Sequence, residues 1–218
     1  MSLVLITPPS LEPVTLEDMA EVLSYGPAAS LDPTTLSMLT ARVTPLIVAA
    51  RTACEDYLRQ ALITQTWELR IDGFPGYSTR YSRQEYPQIW IPRSPFQSIE
   101  SFQYVDVGGA LQDMPQDTSY GVDDATFYSY QLDPGSQTIP ARVLPSYARP
   151  WPPTRLVANN VTLRFIAGYG DTASTVPAPI LMAIRYLAQW FYEQGGMQDT
   201  ALPTVVTRLL DPYRNLLS

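Results

Sequence analysis

The sequence predicts an α+β fold in which a helical bundle is interrupted by a β-rich insertion. Apolar residues recur at helical spacing near both ends of the 218-residue chain, whereas alternating β-branched and aromatic residues fill its middle. One long N-terminal helix and two C-terminal helices form the bundle, because no helix alone can build a core. We therefore expect a single domain over 1–218, with a helical core at 12–62 and 177–218 and a β-rich insertion at 63–171.

The N-terminal third carries two helix starts. Thr15 can cap the free N–H groups of a short helix that continues to about residue 23. Asp32 and Pro33 are typical of the first positions of the next helix, whose apolar stripe extends to residue 61. Pro45 lies on the polar side of this long helix, where it predicts a kink.

The middle of the chain is predicted to form short strands, and the last forty residues are predicted to form two helices. The predicted strands cover 63–72, 88–92, 97–107, 110–114, 120–122, 127–132, 137–139 and 161–167. Gly108 and Gly109 predict a hairpin turn. The C-terminal helices are expected to begin near Pro177 and Thr204, the second of them covering 204–217.

The composition argues against several kinds of function. The net charge is −7, the charged fraction is only 16%, and the chain contains neither His nor Lys. A surface this poor in charge suggests burial against partners. Tight DNA binding needs a basic footprint that is missing here, and acid–base or Schiff-base chemistry lacks its usual side chains.

The remaining signals for chemistry are weak. Cys54, the single cysteine, lies in the apolar stripe of the long helix and is interpreted as a buried structural thiol. Asp123 and Asp124, with Asp117 or Asp171, could bind a cation but are more typical of solvated turns. We therefore predict no enzyme activity, no catalytic residue, no cofactor and no metal. Neither a signal peptide nor a membrane span is indicated, so a soluble protein of the cytoplasm is expected.

Charges and aromatic residues suggest where partners bind. Every charge from 100 to 133 is acidic and every charge from 142 to 164 is basic, which indicates either two solvated loops or complementary faces of neighbouring subunits. The candidate subunit–subunit residues are Asp117, Asp123, Asp124, Arg142, Arg149 and Arg155. A second segment is rich in the residue types of binding hot spots, and its candidates are Tyr77, Arg80, Tyr81, Arg83 and Tyr86. These side chains either bind a protein, fold back on the sheet or stack on DNA.

Seven stretches follow one another along the chain: LITPP at 5–9, EPVTL at 12–16, RQALITQTWEL at 59–69, WPPTR at 151–155, VTLRF and the turn after it at 161–170, VPAPI at 176–180 and LLDPYR at 209–214. Together and in this order they resemble the head–tail connector (adaptor) proteins of long-tailed double-stranded-DNA bacteriophages. The segments 77–87 and 118–149 are longer than the loops of that family.

The resemblance implies a mechanical role in the virion neck after assembly in the host cytoplasm. It implies a ring, often of twelve copies in such proteins, that lies beneath the portal protein and extends the DNA channel. Genomic DNA passes without sequence-specific binding, and a stopper, tail-terminator or other neck protein attaches below. Because ring contacts are heterologous, the acidic and basic segments become candidate ring faces. The portal-binding candidates implied by the family's C-terminal docking are Leu209, Leu210, Tyr213, Arg214, Leu216 and Leu217, although the same stripe is equally typical of a core.

Two alternatives stay open at this point. A stopper or tail-completion protein of the neck would share the same composition but bind on the tail side. A carbohydrate-binding or hydrolytic module would account for the aromatic and acidic residues of the middle segment.

Overall fold

The computed structural model describes residues 1–76, 87–118, 128–147, 149–194 and 202–215. It contains helices and two antiparallel sheets, which confirms the α+β class. The chain divides into two compact units. The helical unit comprises Pro9–Thr64 and Tyr169–Arg214, and the β unit comprises Met1–Pro8, Gln65–Gly168 and Asn215–Ser218. The prediction of one domain over the whole chain stays a prediction.

Four α-helices lie in the described residues of the helical unit, and the first two begin at side-chain caps. They are α1 (Leu16–Val22), α2 (Pro33–Leu58), α3 (Ala178–Glu193) and α4 (Thr204–Leu210). Thr15 and Asp18 form a reciprocal capping box at 3.1 and 2.9 Å. Asp32 accepts hydrogen bonds from the N–H groups of Thr34 and Thr35, both at 3.0 Å, and α2 continues across Pro45.

Helical spacing explains the core of this unit. The fully buried side chains of α2 and α3 recur every three or four residues, for example Leu39, Val43 and Ile47 on α2 and Ile180 and Ile184 on α3. The predicted helix over 204–217 was wrong in its extent. α4 ends at Leu210 and a 3₁₀ turn follows at Asp211–Tyr213, because the proline inside that turn has no N–H with which to continue the helix.

The part of the β unit that the structure describes contains eight strands in two antiparallel sheets. The strands are β1 (Ser2–Thr7), β2 (Gln65–Ile71), β3 (Ile89–Trp90), β4 (Phe96–Val105), β5 (Leu111–Asp113), β6 (Tyr130–Asp133), β7 (Arg142–Pro145) and β8 (Val161–Ala167). One sheet has the order β1-β2-β8-β4-β5 and the other β3-β7-β6.

One predicted strand is contradicted, two observed strands were not predicted, and one prediction is not tested. The prediction of a strand at 137–139 is wrong. The backbone N–H of Ser136 donates a hydrogen bond of 2.9 Å to the carbonyl of Ile139, so the chain turns there. The strands β1 and β7 were not predicted. The prediction at 120–122 lies outside the described residues.

An aromatic cluster lies between the two sheets of the β unit. Phe74 stacks on Trp151 with ring centroids 4.7 Å apart, and Phe102 of β4 meets Tyr130 of β6 edge-on at 5.2 Å. The Trp151 indole also donates a hydrogen bond of 2.7 Å to the carbonyl of Pro87. Edge-to-face and offset contacts of this kind add to the stabilisation from burial, so this cluster holds the small sheet on the large one.

Candidate interaction surfaces

The predicted portal-binding segment is divided between core and surface. Leu210 is 0% exposed and belongs to the core of the helical unit. Leu209 and Tyr213 are half-buried and pack against that core, and Arg214 is half-buried as well. Leu216 and Leu217 lie outside the described residues. The burial of Leu210 follows from its position on the apolar side of α4, four residues after buried Val206.

Polar contacts attach the residues after α4 to the end of α2. The Tyr57 hydroxyl donates to Asp211 at 2.5 Å, and the Gln60 amide donates to the carbonyl of Tyr213 at 2.6 Å. The Arg214 guanidinium lies 4.8 Å from the centroid of the Tyr57 ring. The hydrogen bond to Asp211 raises the pKa of Tyr57, since it stabilises the protonated phenol. The segment 211–214 is therefore held by specific partners within the helical unit.

Gln60 connects this attachment to a second loop. Its side chain is 0% exposed, and its amide oxygen accepts a hydrogen bond of 2.9 Å from the Tyr169 hydroxyl. Burial raises the pKa of Tyr169 to about 12. The nitrogen and the oxygen of this buried amide therefore both have hydrogen-bond partners, as buried polar groups usually do.

The acidic and basic segments meet within one chain at the pair Asp133 and Arg142. The two residues are opposite each other on β6 and β7, and the Arg142 guanidinium donates to the Asp133 carboxylate at 2.9 Å. Arg142 also donates to Gln88 at 3.0 Å and lies 5.5 Å from the centroid of the Trp90 ring. The hydrogen bond from the backbone N–H of Gly135 is the main cause that lowers the pKa of Asp133, and the hydrogen bond from Arg142 lowers this pKa further. Arg142 thus has partners inside its own subunit, and its role between subunits stays a prediction.

The other candidate charges occupy different places in the β unit. Arg155 is exposed, and its guanidinium lies so close to the β4–β5 turn that a side chain at Gly109 would collide with it. Arg149 and Asp117 are half-buried. Asp123 and Asp124 lie outside the described residues, as do all five candidates of the aromatic segment, Tyr77, Arg80, Tyr81, Arg83 and Tyr86.

Sequence reasoning missed a buried ionic cluster in the helical unit. Arg51, 8% exposed, donates to Glu12 at 2.8 Å and to Glu55 at 2.5 Å. The second oxygen of Glu55 accepts the backbone N–H of Leu62 at 2.9 Å. The spacing of Arg51 and Glu55 by four residues was a usable signal, whereas the contact with distant Glu12 had none. The cluster joins the N-terminal segment to both α2 and the chain after it.

A second missed cluster lies on the large sheet. Glu68 of β2 is only 4% exposed and accepts hydrogen bonds from Arg164 of β8 at 2.7 Å and from Arg70 at 2.6 Å. Burial raises the pKa of Glu68, but the two guanidinium groups outweigh it and the net shift is downward. Arg164, part of the predicted basic segment, is therefore paired within its own chain.

The described residues offer little for chemistry. Cys54 is 0% exposed, and burial raises the pKa of its thiol to about 12, so the reactive thiolate is strongly disfavoured. Among the residues that the structure describes, no group of three His, Cys, Asp or Glu side chains could hold a metal. No helix in the described part of the chain combines the length and apolarity needed to cross a membrane.

The described residues of the β unit line two cavities of similar volume. One, of about 400 Å³, is lined mainly by apolar residues, among them Met1, Ile71, Ile89 and Trp90. The other, of about 340 Å³, is lined largely by the Pro-rich stretch 150–153 and the residues after β2.

Comparison with solved structures shows a shared fold over the whole chain. A chain from the neck of an empty gene transfer agent (GTA) particle, computed with C6 symmetry, matches with a TM-score of 0.71 at 19% identity. A chain from the virion of a native GTA particle gives 0.70 at 18%, and one from the neck of a native GTA particle computed with C12 symmetry gives 0.63 at 22%. Each match covers 100% of this chain and 97% of the other.

The comparisons with sequences give no such match. No family model matches the chain, and no curated protein matches it significantly. These comparisons therefore show that the chain shares its α+β fold with chains of GTA necks and of a GTA virion, at identities of 18–22%.

Proposed function

We propose that this protein is a structural component of the neck of a tailed phage or phage-like particle, and specifically a head–tail connector (adaptor). The observation that carries the proposal is the whole-length likeness to chains of GTA necks, since it includes both the helical unit and the β unit. A carbohydrate-binding module would account for the β unit alone. The order of connector-like stretches along the sequence supports the same role independently.

In this proposal the chain forms one connector domain and assembles as a dodecameric ring beneath the portal. Necks computed with C6 and C12 symmetry contain the similar chains, and a ring of twelve is compatible with both symmetries. The ring extends the DNA channel and gives a stopper, tail-terminator or other neck protein its attachment platform. With a net charge of −7, its surface repels phosphate overall and lets genomic DNA pass without specific binding.

The role requires surfaces and no catalysis. The half-buried Leu209, Tyr213 and Arg214 are the described side chains proposed to contact the portal, together with Leu216 and Leu217. Leu210 takes part by holding α4 in the core. Exposed Arg155 and half-buried Arg149 are proposed to face the acidic segment of the next subunit in the ring.

The test is the native mass of the protein, alone and mixed with the portal ring of the same particle. We expect a portal complex with about a dozen copies of the chain. The double variant Arg149→Glu and Arg155→Glu should weaken ring formation, whereas Arg208→Glu, an exposed charge on α4, should not. Normal rings from the double variant would refute the assignment of the ring faces.

A second mixture, of the protein with purified tails, distinguishes an adaptor from a stopper or tail-completion protein. A chain that ignores the portal but joins purified tails belongs on the tail side of the neck. Binding to neither would refute the neck role itself.

A further inference from the structure

The strand β1 is an edge strand without the usual protection of an edge. It pairs with β2 on one side, and no strand of the described chain pairs with its other side. Residues 1–7 contain no charged side chain and no proline. Natural sheets protect their edges with charged residues, proline or a covering segment, because a bare edge pairs with any suitable strand. Within the described residues, the outer backbone groups of β1 therefore have no partner strand and lie between uncharged side chains.

Four of the six side chains of β1, those of residues 3–6, are apolar and yet partly open to solvent. Leu5 is 41% exposed and Ile6 is 39% exposed, while Leu3 and Val4 are half-buried. A strand laid along the edge would cover these side chains on both faces. It would do so without burying any charge of β1, which favours an uncharged partner strand.

The apolar cavity lies at one end of the same edge. Met1, the residue before β1, lines it together with Ile71, the last residue of β2. These two strand ends are neighbours, because Ser2 is paired with Arg70. Trp90, Pro75 and Pro92 complete the apolar wall. At about 400 Å³ the cavity falls within the usual size range of ligand pockets. In strand addition, backbone hydrogen bonds provide affinity and such pockets provide specificity.

We infer that the free edge of β1 accepts one extended, uncharged segment of a different protein, which adds as a sixth strand and places a large apolar side chain in the cavity. Its identification as another neck component rests on the proposed function. A second copy of this chain is a less suitable occupant of the β1 edge. Pairing of β1 with β1 is two-fold and closes a dimer, whereas a ring needs head-to-tail contacts. The opposite edge, β5, has three residues and includes Asp113, so it is too short to cover the six of β1.

The test uses short overlapping peptides that span the portal and neck proteins of the same particle and this chain itself. A peptide that binds the full-length protein is then titrated against variants. Leu5→Lys with Ile6→Lys places two charges on the edge, and Leu111→Lys, at a residue 63% exposed on the opposite edge, is the matched control. We expect an uncharged peptide from another neck protein to lose about tenfold or more in affinity for the double variant and none for the control. Alanine in place of the largest apolar residue of the peptide should weaken binding similarly.

Thermal melting shows whether the double variant folds, and Ile6→Lys alone replaces it if it does not. Ile6 lies at the irregularity between the pairs of Leu5 and Thr7, outside the regular register. Equal affinity of wild type and variant, or the absence of any binding peptide, would overturn the inference. Binding of a peptide from this chain would overturn the choice of a different protein. If the wild-type protein joins neither the portal nor tails, the proposed neck role is refuted. Peptide binding to the edge of β1 is a separate measurement on the isolated protein, so failure of the two proposals can be distinguished.

Discussion

Replacing Leu210 with alanine tests whether the C-terminal helix belongs to the core of the helical unit. The side chain is 0% exposed and lies in the cluster that also contains Val206 and Ile184. Truncation removes its transfer free energy and leaves a cavity, which at comparable sites costs about 2–5 kcal/mol. For a chain of this size each kcal/mol lowers the melting temperature by about 2–4 °C. A central cost of about 3 kcal/mol therefore predicts a decrease of about 6–12 °C.

The matched control is Val205→Ala on the same helix. Val205 is 58% exposed, so its truncation should change the free energy of unfolding by less than about 0.5 kcal/mol. Thermal unfolding followed by circular dichroism compares the two variants directly. If both melt like the wild type while Leu210→Ala alone loses portal binding, Leu210 is a docking residue and its place in the core is refuted.

Three further predictions concern the buried polar groups. Arg51→Met should cost about 3–5 kcal/mol in urea denaturation because it removes the guanidinium that pairs with buried Glu55 and half-buried Glu12, whereas Arg208→Met, at an exposed position, should be nearly neutral; similar values for both would contradict the role of the ionic cluster. Glu68 has a lowered pKa in the folded state, so it stabilises the protein above its unfolded pKa of about 4.5 and less as the pH falls through the folded value. Glu68→Gln should therefore be destabilising at pH 7 with a difference that shrinks in acid, and a pH-independent difference would refute this. Cys54 should not react with a thiol reagent at pH 8 in the folded protein but should react in denaturant, and equal rates would show that it is accessible.

Local signals predicted much of the secondary structure. Thr15 and Asp32 were identified as caps because they are the residues whose side chains bond to free N–H groups at a helix start. The strand expected at 161–167 has the bounds of β8, since alternation and β-branched residues are strong there. β1 was missed because six residues before two prolines carry little periodicity, and it becomes a strand only when β2 is available to pair with it.

The candidate surfaces were less predictable. Runs of like charge suggested contacts between subunits, but Arg142 and Arg164 each pair with a carboxylate of their own chain. Their partners are determined by strand register, which sequence alone does not provide. Likewise the stripe on α4 was compatible with core or docking surface until the packing placed Leu210 inside and left Leu209 half-buried.

The sequence by itself determined the α+β class, the helix starts and the absence of His and Lys chemistry, because these depend on residue type and local spacing. Tertiary structure decided which charges meet, which leucine of the C-terminal helix is buried, and which strand forms the edge of the sheet. Those outcomes depend on contacts between residues far apart in the chain, such as Glu12 with Arg51 and Glu68 with Arg164, and no local pattern specifies them.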